Sequence, residues 1–170
     1  MSFSQSLLPE FDEEMKKTRK ILECVPDGKF EYQPHPKSMQ MGRLATHVAE
    51  MPSWATTTLT TEVLSLEGFS PTIITTQAEL LKFFDKNVAE AREKIAAASD
   101  ADWQVNWSMK FQGKTIMTMP RAAVVRNVVM NHMIHHRAQL GVFLRLNEIA
   151  IPGMYGPSAD EMKFWEATNA

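Results

Sequence analysis

Four segments of the chain repeat their apolar residues at alternating intervals of three and four positions, and this spacing constrains the fold more than any other feature. Such intervals place the apolar side chains on one stripe of an α-helix. A helix with one apolar stripe is stable in water only when that stripe packs against another element. The sequence therefore predicts an all-α fold, a four-helix bundle. The stripe residues are Leu8, Phe11, Met15, Thr18, Leu22 and Val25; Met39, Leu44, Met51 and Trp54; Leu81, Phe84, Val88, Ala91, Ile95 and Ala98; and Val125, Val128, Val129, Leu140 and Phe143.

Between the third and fourth of these helices, the pattern changes to an alternation with a period of two, which is typical of a strand. The alternation covers residues 103–111, Gln112 and Gly113 can form a turn, and residues 115–117 can pair back. We therefore predict a small hairpin between helices three and four.

The second helix contains residues that predict its start and an irregularity. Ser38 is a suitable N-cap, so the helix is expected to begin there and to run toward Thr61. Pro52 lies within this run, and because proline cannot donate the helical hydrogen bond, a kink or a break is expected there. Residues 66–75 then form a connection that is too long for a tight turn.

The composition excludes several classes of protein. With 18 basic and 20 acidic residues the net charge is −2, and neither sign forms a long block, so no nucleic-acid partner is expected. No apolar run approaches the ~20 residues of a membrane span, and residues 1–6 do not resemble a signal peptide. A single cysteine cannot form an internal disulfide, which fits a reducing compartment. We expect one cytoplasmic domain covering residues 1–170.

Three histidines lie on the apolar stripes of two predicted helices. His132 and His136 are four residues apart on the fourth helix, so their imidazoles project from the same face, and His47 projects from the stripe of the second helix. If the two helices are neighbours, the three imidazoles can bind one divalent ion and leave a position open for water or substrate. Nitrogen ligands suit zinc, nickel, copper or iron.

Histidines at this spacing also occur without a metal. A histidine pair four residues apart arises by chance, and a single inward histidine such as His47 is often a hydrogen-bonded core residue. Three imidazoles buried without partners would, however, each carry a penalty of about 1–3 kcal/mol. One shared ion relieves all three penalties, which favours a metal site.

The histidine motif resembles that of the DinB/YfiT-like family. His132-x-x-x-His136-Arg137-Ala138-Gln139 is similar to the family's His-x-x-x-His-Arg-Gly-Gln, with Ala138 where glycine is frequent. The segment Leu44-Ala45-Thr46-His47-Val48 is similar to the setting of the family's lone histidine on an earlier helix. The resemblance implies an up-down-down-up four-helix bundle, a divalent metal held by His47, His132 and His136, frequent homodimers, and activities that include thiol-dependent S-transfer and isomerisation.

Other residues near the predicted ligands have less defined roles. Glu50, one turn after His47, is a candidate to support that ligand or to act as a general base, although the spacing favours a surface position for it. Trp54 is a candidate pocket wall or an ordinary core residue, and Gln139 is a candidate to orient a ligand. His135 lies off the stripe and is expected at its flank. Arg137 points away from the stripe, so we expect it to form a salt bridge to a neighbouring helix or partner.

The function suggested by these residues is that of a metal-dependent enzyme. An ion, zinc or nickel, with an open position can activate water or a low-molecular-weight thiol, so the predicted enzyme is a thiol S-transferase or a hydrolase of a small molecule. The alternative is a non-catalytic metal-binding bundle in which the ion is structural or sensed, and which would seal the ion from solvent. A third class, a helical partner-binding protein with chance histidines, would bind no metal.

Overall fold

Long helical segments make up most of the structure, a computed structural model that describes residues 1–68 and 70–162. Helix α1 is Phe3–Leu22, a 3₁₀ turn follows at Asp27–Lys29, and α2 is Met41–Thr60. Helix α3 is Gln77–Ala97, and the short α4 is Asp100–Gln104. The last long segment comprises α5 (Arg121–Val124), a π-helix (Val125–Asn131) and α6 (His132–Arg145). The helical spacing therefore predicted the four long segments, but not the π-helix.

A three-stranded sheet accompanies the helices. Strands β2 (Asn106–Phe111) and β3 (Lys114–Pro120) form an antiparallel hairpin, as the sequence predicted. Strand β1 (Val63–Ser65) pairs parallel to β2, which gives the order β1-β2-β3. No strand was predicted at the position of β1. The predicted start of β2, at Trp103, is three residues too early, because Trp103 lies in α4. The purely all-α bundle is not confirmed, because the fold is mostly helical with this small mixed sheet, and the up-down-down-up order of the helices stays a prediction.

Helix α2 begins at Met41, with Gln40 as its N-cap, so the predicted N-cap at Ser38 is wrong. Backbone carbonyls of the preceding loop satisfy the first amides of the helix, since Met41 N donates to Tyr32 O at 2.7 Å and Gly42 N donates to Phe30 O at 2.8 Å. Because the loop supplies these acceptors, no side-chain cap is needed.

Pro52 does not break α2, which continues to Thr60. In the same part of the helix, the amide nitrogen Nδ2 of the buried Asn87 on α3 donates to the Ala49 carbonyl at 3.0 Å and ties α2 to α3. The helix therefore carries His47 and the residues after Pro52 on one continuous element.

The core lies between the long helices. Its largest fully buried apolar side chains come from α1, α2, α3 and α4. The largest of the buried apolar side chains are Trp103, Phe11, Phe84, Leu7, Ile21, Leu22, Met41, Leu44, Met51, Leu80 and Ile95.

Among residues 1–68 and 70–162, no helix is both long enough and apolar enough to cross a membrane.

Candidate metal centre

The structure brings together the three histidines that the sequence predicted as ligands. One ring nitrogen from each of His47, His132 and His136 lies within 4.8 Å of the corresponding nitrogens of the other two, a spacing that could accommodate a metal ion. His132 Nε2 and His136 Nε2 are 2.8 Å apart. The His47 ring centroid lies 5.4 Å from that of His132 and 4.8 Å from that of His136. His47 is buried, whereas the other two are half-buried, so the cluster is in reach of solvent.

Each imidazole has an outer hydrogen-bond partner. His47 Nδ1 lies 2.7 Å from Glu50 Oε1, and His136 Nδ1 lies 2.7 Å from Gln139 Oε1. His132 bonds to the backbone carbonyl of Val128. Because a carbonyl or carboxylate oxygen can only accept, each of these bonds requires the imidazole to donate its N–H outward. This is the arrangement that metal-binding histidines usually have, and it directs the remaining nitrogen of each ring inward.

The inward nitrogens fit a cation better than a proton. With Nδ1 donating outward, a neutral imidazole carries a lone pair on Nε2, and two such lone pairs 2.8 Å apart repel each other. Burial lowers the pKa of His132, and burial lowers the pKa of His136 to about 4. The rings of His132 and His136 are therefore poor proton acceptors at neutral pH. Imidazole nitrogens from three residues are a suitable donor set for a divalent transition metal.

Glu50 is buried, with 5% of its surface exposed, so the surface position favoured by the sequence analysis is wrong. Its carboxylate accepts from His47 and also receives Arg43 Nη2 at 3.3 Å. A carboxylate buried between an imidazole and a guanidinium holds the His47 ring in one orientation. The sequence offered only the one-turn spacing between Glu50 and His47, which does not reveal burial.

Gln139 and His135 are both exposed, and they differ in their relation to the cluster. Gln139 reaches back one turn and accepts a hydrogen bond from His136, and its orienting role stays a prediction. His135 stacks edgewise on His136 but contributes no nitrogen to the cluster, which agrees with its predicted place at the flank.

Arg137 is buried on the opposite side of α6 and forms the predicted salt bridge to a neighbouring helix. Its Nη2 lies 2.6 Å from Glu14 Oε2 on α1, and its Nη1 donates to the Glu14 carbonyl and the Thr18 hydroxyl, both at 3.0 Å. Nη2 also donates to the Tyr155 hydroxyl at 2.8 Å. Because Arg137 directly follows His136, this network fixes the rotation of α6 about its axis.

A cavity of about 410 Å³, which we call the apolar cavity, adjoins the histidines on the His47 side. Of its lining residues, the sequence indicated only His47 and Trp54. The other walls come largely from the sheet and the π-helix, and neither strand β1 nor the π-helix was predicted. Trp54 lines it, with its ring centroid 5.6 Å from that of His47 and 5.8 Å from that of His132. The residues lining the apolar cavity are His47, Ser53, Trp54, Thr57, Thr58, Leu64, Leu66, Trp107, Met109, Val124, Val128 and Val129.

A second cavity, also of about 410 Å³, adjoins the histidines on the His136 side, and we call it the polar cavity. It includes Gln139 and the cationic Lys37, which distinguish it from the apolar cavity, beside the apolar residues Met39, Leu44, Val142 and Phe143. The candidate metal centre therefore lies between two cavities of different chemistry.

Comparison with known proteins agrees with this description. The DinB family profile matches residues 1–168, whereas no functionally curated protein matches the chain significantly. A DinB-like protein from Bacillus cereus is 22% identical, with a TM-score of 0.70, over 89% of this chain and 97% of that one. A DinB-like protein from Bacillus subtilis is 14% identical, with a TM-score of 0.68, over 90% of this chain and 99% of that one. These structures share the fold, and the match over nearly the whole sequence shows that the chain belongs to the DinB family.

Proposed function

We propose that this protein is a divalent-metal-dependent enzyme that transfers a low-molecular-weight thiol to a small molecule. The observation that carries the proposal is the convergence of three imidazole nitrogens from two helices, between two cavities. Zinc or nickel is the proposed ion, because neutral imidazole nitrogens suit both. Hydrolysis of a small molecule at the same centre is the second candidate reaction.

The residues of the centre have separate roles in this proposal. His47, His132 and His136 hold the ion, Glu50 orients His47, and Gln139 orients His136. A bound divalent ion would supply Lewis acidity, which lowers the pKa of a thiol or water at its open position. Lowered pKa values keep His132 and His136 neutral, so their lone pairs are available without loss of a proton at pH 7.

The two cavities favour transfer over hydrolysis. A transferase binds two organic reactants, and a cavity on each side of the centre provides space for both. Hydrolysis needs space for only one, because water is the other reactant. The polar cavity, with Lys37 and Gln139, is the proposed site of the thiol, since a cation there can bind an acidic group of that molecule.

The alternative is a non-catalytic bundle in which the ion is structural or sensed. Such a site seals its ion with protein ligands. The half-buried positions of His132 and His136, beside two cavities, support the enzyme instead.

Metal analysis of the untagged protein tests the centre. The wild-type protein is expected to retain about one equivalent of zinc or nickel after dialysis, whereas the double variant His132→Ala/His136→Ala retains almost none. His135→Ala is the matched control, because it removes an exposed imidazole from the same helix and should leave the metal content unchanged. Equal metal content in the wild type and the double variant would refute the proposed centre.

A panel of electrophiles, tested with different cellular thiols, then addresses the reaction. Thiol transfer that requires the loaded centre supports the transferase, and ester or amide cleavage without thiol supports the hydrolase. A loaded centre that turns over no member of either panel and exchanges no water supports the non-catalytic alternative. The homodimer and the cytoplasmic location stay predictions, for which light scattering coupled to gel filtration, and cell fractionation, are the respective tests.

A further inference from the structure

The apolar cavity has a lining that selects for one kind of occupant. Among the residues that the structure describes, those lining this cavity include no Asp, Glu, Lys or Arg, and most of them are aliphatic or aromatic. We infer that this cavity binds an uncharged aromatic group of the electrophile, the substrate that receives the thiol. This inference rests on the proposed function and adds the class of substrate to it.

The hydroxyl groups in the lining are already engaged with the backbone. Ser53 Oγ donates to the Glu50 carbonyl at 2.7 Å, Thr57 Oγ1 to the Ser53 carbonyl at 3.2 Å, and Thr58 Oγ1 to the Trp54 carbonyl at 2.7 Å. The indole N–H of Trp107 donates to Thr61 Oγ1 at 3.2 Å. These donors are therefore not free to pair with an anionic or strongly polar group. An ionised group placed among these residues would lose its hydration without gaining a hydrogen bond from any of these four donors.

The size of the cavity and its two indoles favour an aromatic group. An apolar cavity of about 150 Å³ holds benzene, so about 410 Å³ accommodates a group of two or three fused or linked rings. Trp54 is half-buried and Trp107 is 2% exposed, and both contribute to the lining. Offset or edgewise packing on indoles stabilises an aromatic occupant beyond the burial of its surface.

The position of His47 connects the cavity to the reaction. His47 is the one predicted ligand in the lining of the apolar cavity, whereas His136 lines the polar cavity. A group bound in the apolar cavity therefore has one end at the histidine cluster. The aromatic part of the electrophile is held away from Lys37, which leaves the polar cavity to the second reactant.

Binding of an uncharged fluorophore tests the inference without any turnover. N-phenylnaphthylamine is uncharged and emits strongly in apolar surroundings, and its sulfonated relative, anilinonaphthalenesulfonate, has the same rings with one negative charge. The metal-loaded wild-type protein is expected to bind about one equivalent of the uncharged probe, with energy transfer from tryptophan, and to bind the sulfonate at least about tenfold more weakly.

A matched pair of variants locates the probe. Thr57→Phe places a ring in the cavity, and it is expected to weaken binding of the uncharged probe at least about tenfold. Thr60→Phe is the control, because Thr60 is exposed on the same helix and its hydroxyl makes the same kind of bond, to the Thr56 carbonyl at 2.8 Å. Met109→Ala enlarges the cavity, so it is expected to retain the probe and to accept bulkier aromatic relatives. Thermal unfolding and metal content of each variant show that it is folded and loaded.

The outcomes separate this inference from the proposed function. Equal binding of the probe by the wild type and Thr57→Phe, or equal affinity for the two probes, overturns the inference even if the metal centre and thiol transfer are established. If the metal experiment fails, the difference in affinity for the uncharged probe between Thr57→Phe and Thr60→Phe still persists, because neither His132 nor His136 lines this cavity. With an active enzyme, Thr57→Phe raises KM for an electrophile with a bicyclic group, whereas Thr60→Phe does not.

Discussion

The buried pair of Glu14 and Arg137 makes a quantitative prediction about stability. Arg137 is 1% exposed and Glu14 is 6% exposed, and their charged atoms are 2.6 Å apart. Removal of one partner from a buried ion pair leaves an uncompensated charge, which typically costs about 3–5 kcal/mol. Glu14→Leu is therefore expected to lower the free energy of unfolding by about this amount, which corresponds to a decrease in Tm of roughly 6 °C or more for a chain of this length.

The double variant Glu14→Leu/Arg137→Met separates the charge effect from the loss of packing. Both buried charges are then replaced by apolar side chains, and such replacements are often neutral or stabilising. The double variant is therefore expected to be more stable than Glu14→Leu alone, although it lacks more hydrogen bonds. Urea unfolding followed by circular dichroism measures the free energies of unfolding of the wild type, the single variant and the double variant.

An exposed ion pair between the same two helical segments provides the control. Glu10 and Arg126 also join α1 to the last helical segment, at 3.0 Å, but both are more than 40% exposed. Because an exposed pair contributes about 0–1 kcal/mol, Glu10→Leu should change the free energy of unfolding by no more than that. A loss for Glu14→Leu no larger than the loss for Glu10→Leu would refute the reasoning from burial.

Three further predictions concern the metal centre, helix packing and pH. Glu50→Gln weakens metal binding by about 10–100-fold, measured by competition with a chelator, because the carboxylate that orients His47 is lost. Gly42→Ala lowers stability by roughly 1–3 kcal/mol in thermal unfolding, since the new Cβ would lie 2.5 Å from Phe30 Cδ1, whereas Gly28→Ala adds a Cβ with no atom within 4 Å. Burial raises the pKa of Glu14, but hydrogen bonds from Tyr155 and Arg137 outweigh this effect and hold the pKa below 4.5. The wild-type protein is therefore expected to be more stable than Glu14→Gln above pH 4.5, and this difference in the free energy of unfolding decreases as the pH falls further. Urea titrations at a series of pH values measure the difference.

The helices that the sequence predicted well are those stabilised by their own apolar stripes. Helices α1 and α3 follow the three-four spacing, and the convergence of His47 with His132 and His136 follows from that spacing together with the packing of α2 on α6. The one-turn relation of Gln139 to His136 was also readable, because both residues lie on one helix.

The features that the sequence did not reveal depend on distant parts of the chain. Helix α2 begins at Met41 because loop carbonyls 9 and 12 residues earlier accept from its first amides, and no local pattern encodes this. Strand β1 has three residues, too few for a visible alternation, and it exists through pairing with β2. The burial of Glu50 depends on the Arg43 and His47 side chains around it.

The π-helix Val125–Asn131 sets the angular phase between the two ends of the last helical segment. Each wider turn holds more residues than an α-turn, so Val124 can face the cavity while His132, His136 and Arg137 keep their own directions farther along. Because a π-turn holds about one residue more than an α-turn, deletion of one residue within Val125–Asn131 would allow an uninterrupted α-helix with nearly the same phase downstream. The imidazoles would then still face His47, and Arg137 would still face Glu14, whereas an α-helix that kept every residue would rotate both away by ~100°. A relative without the π-helix would be one residue shorter here, so a sequence alignment that leaves out the gap would misassign both sets of contacts.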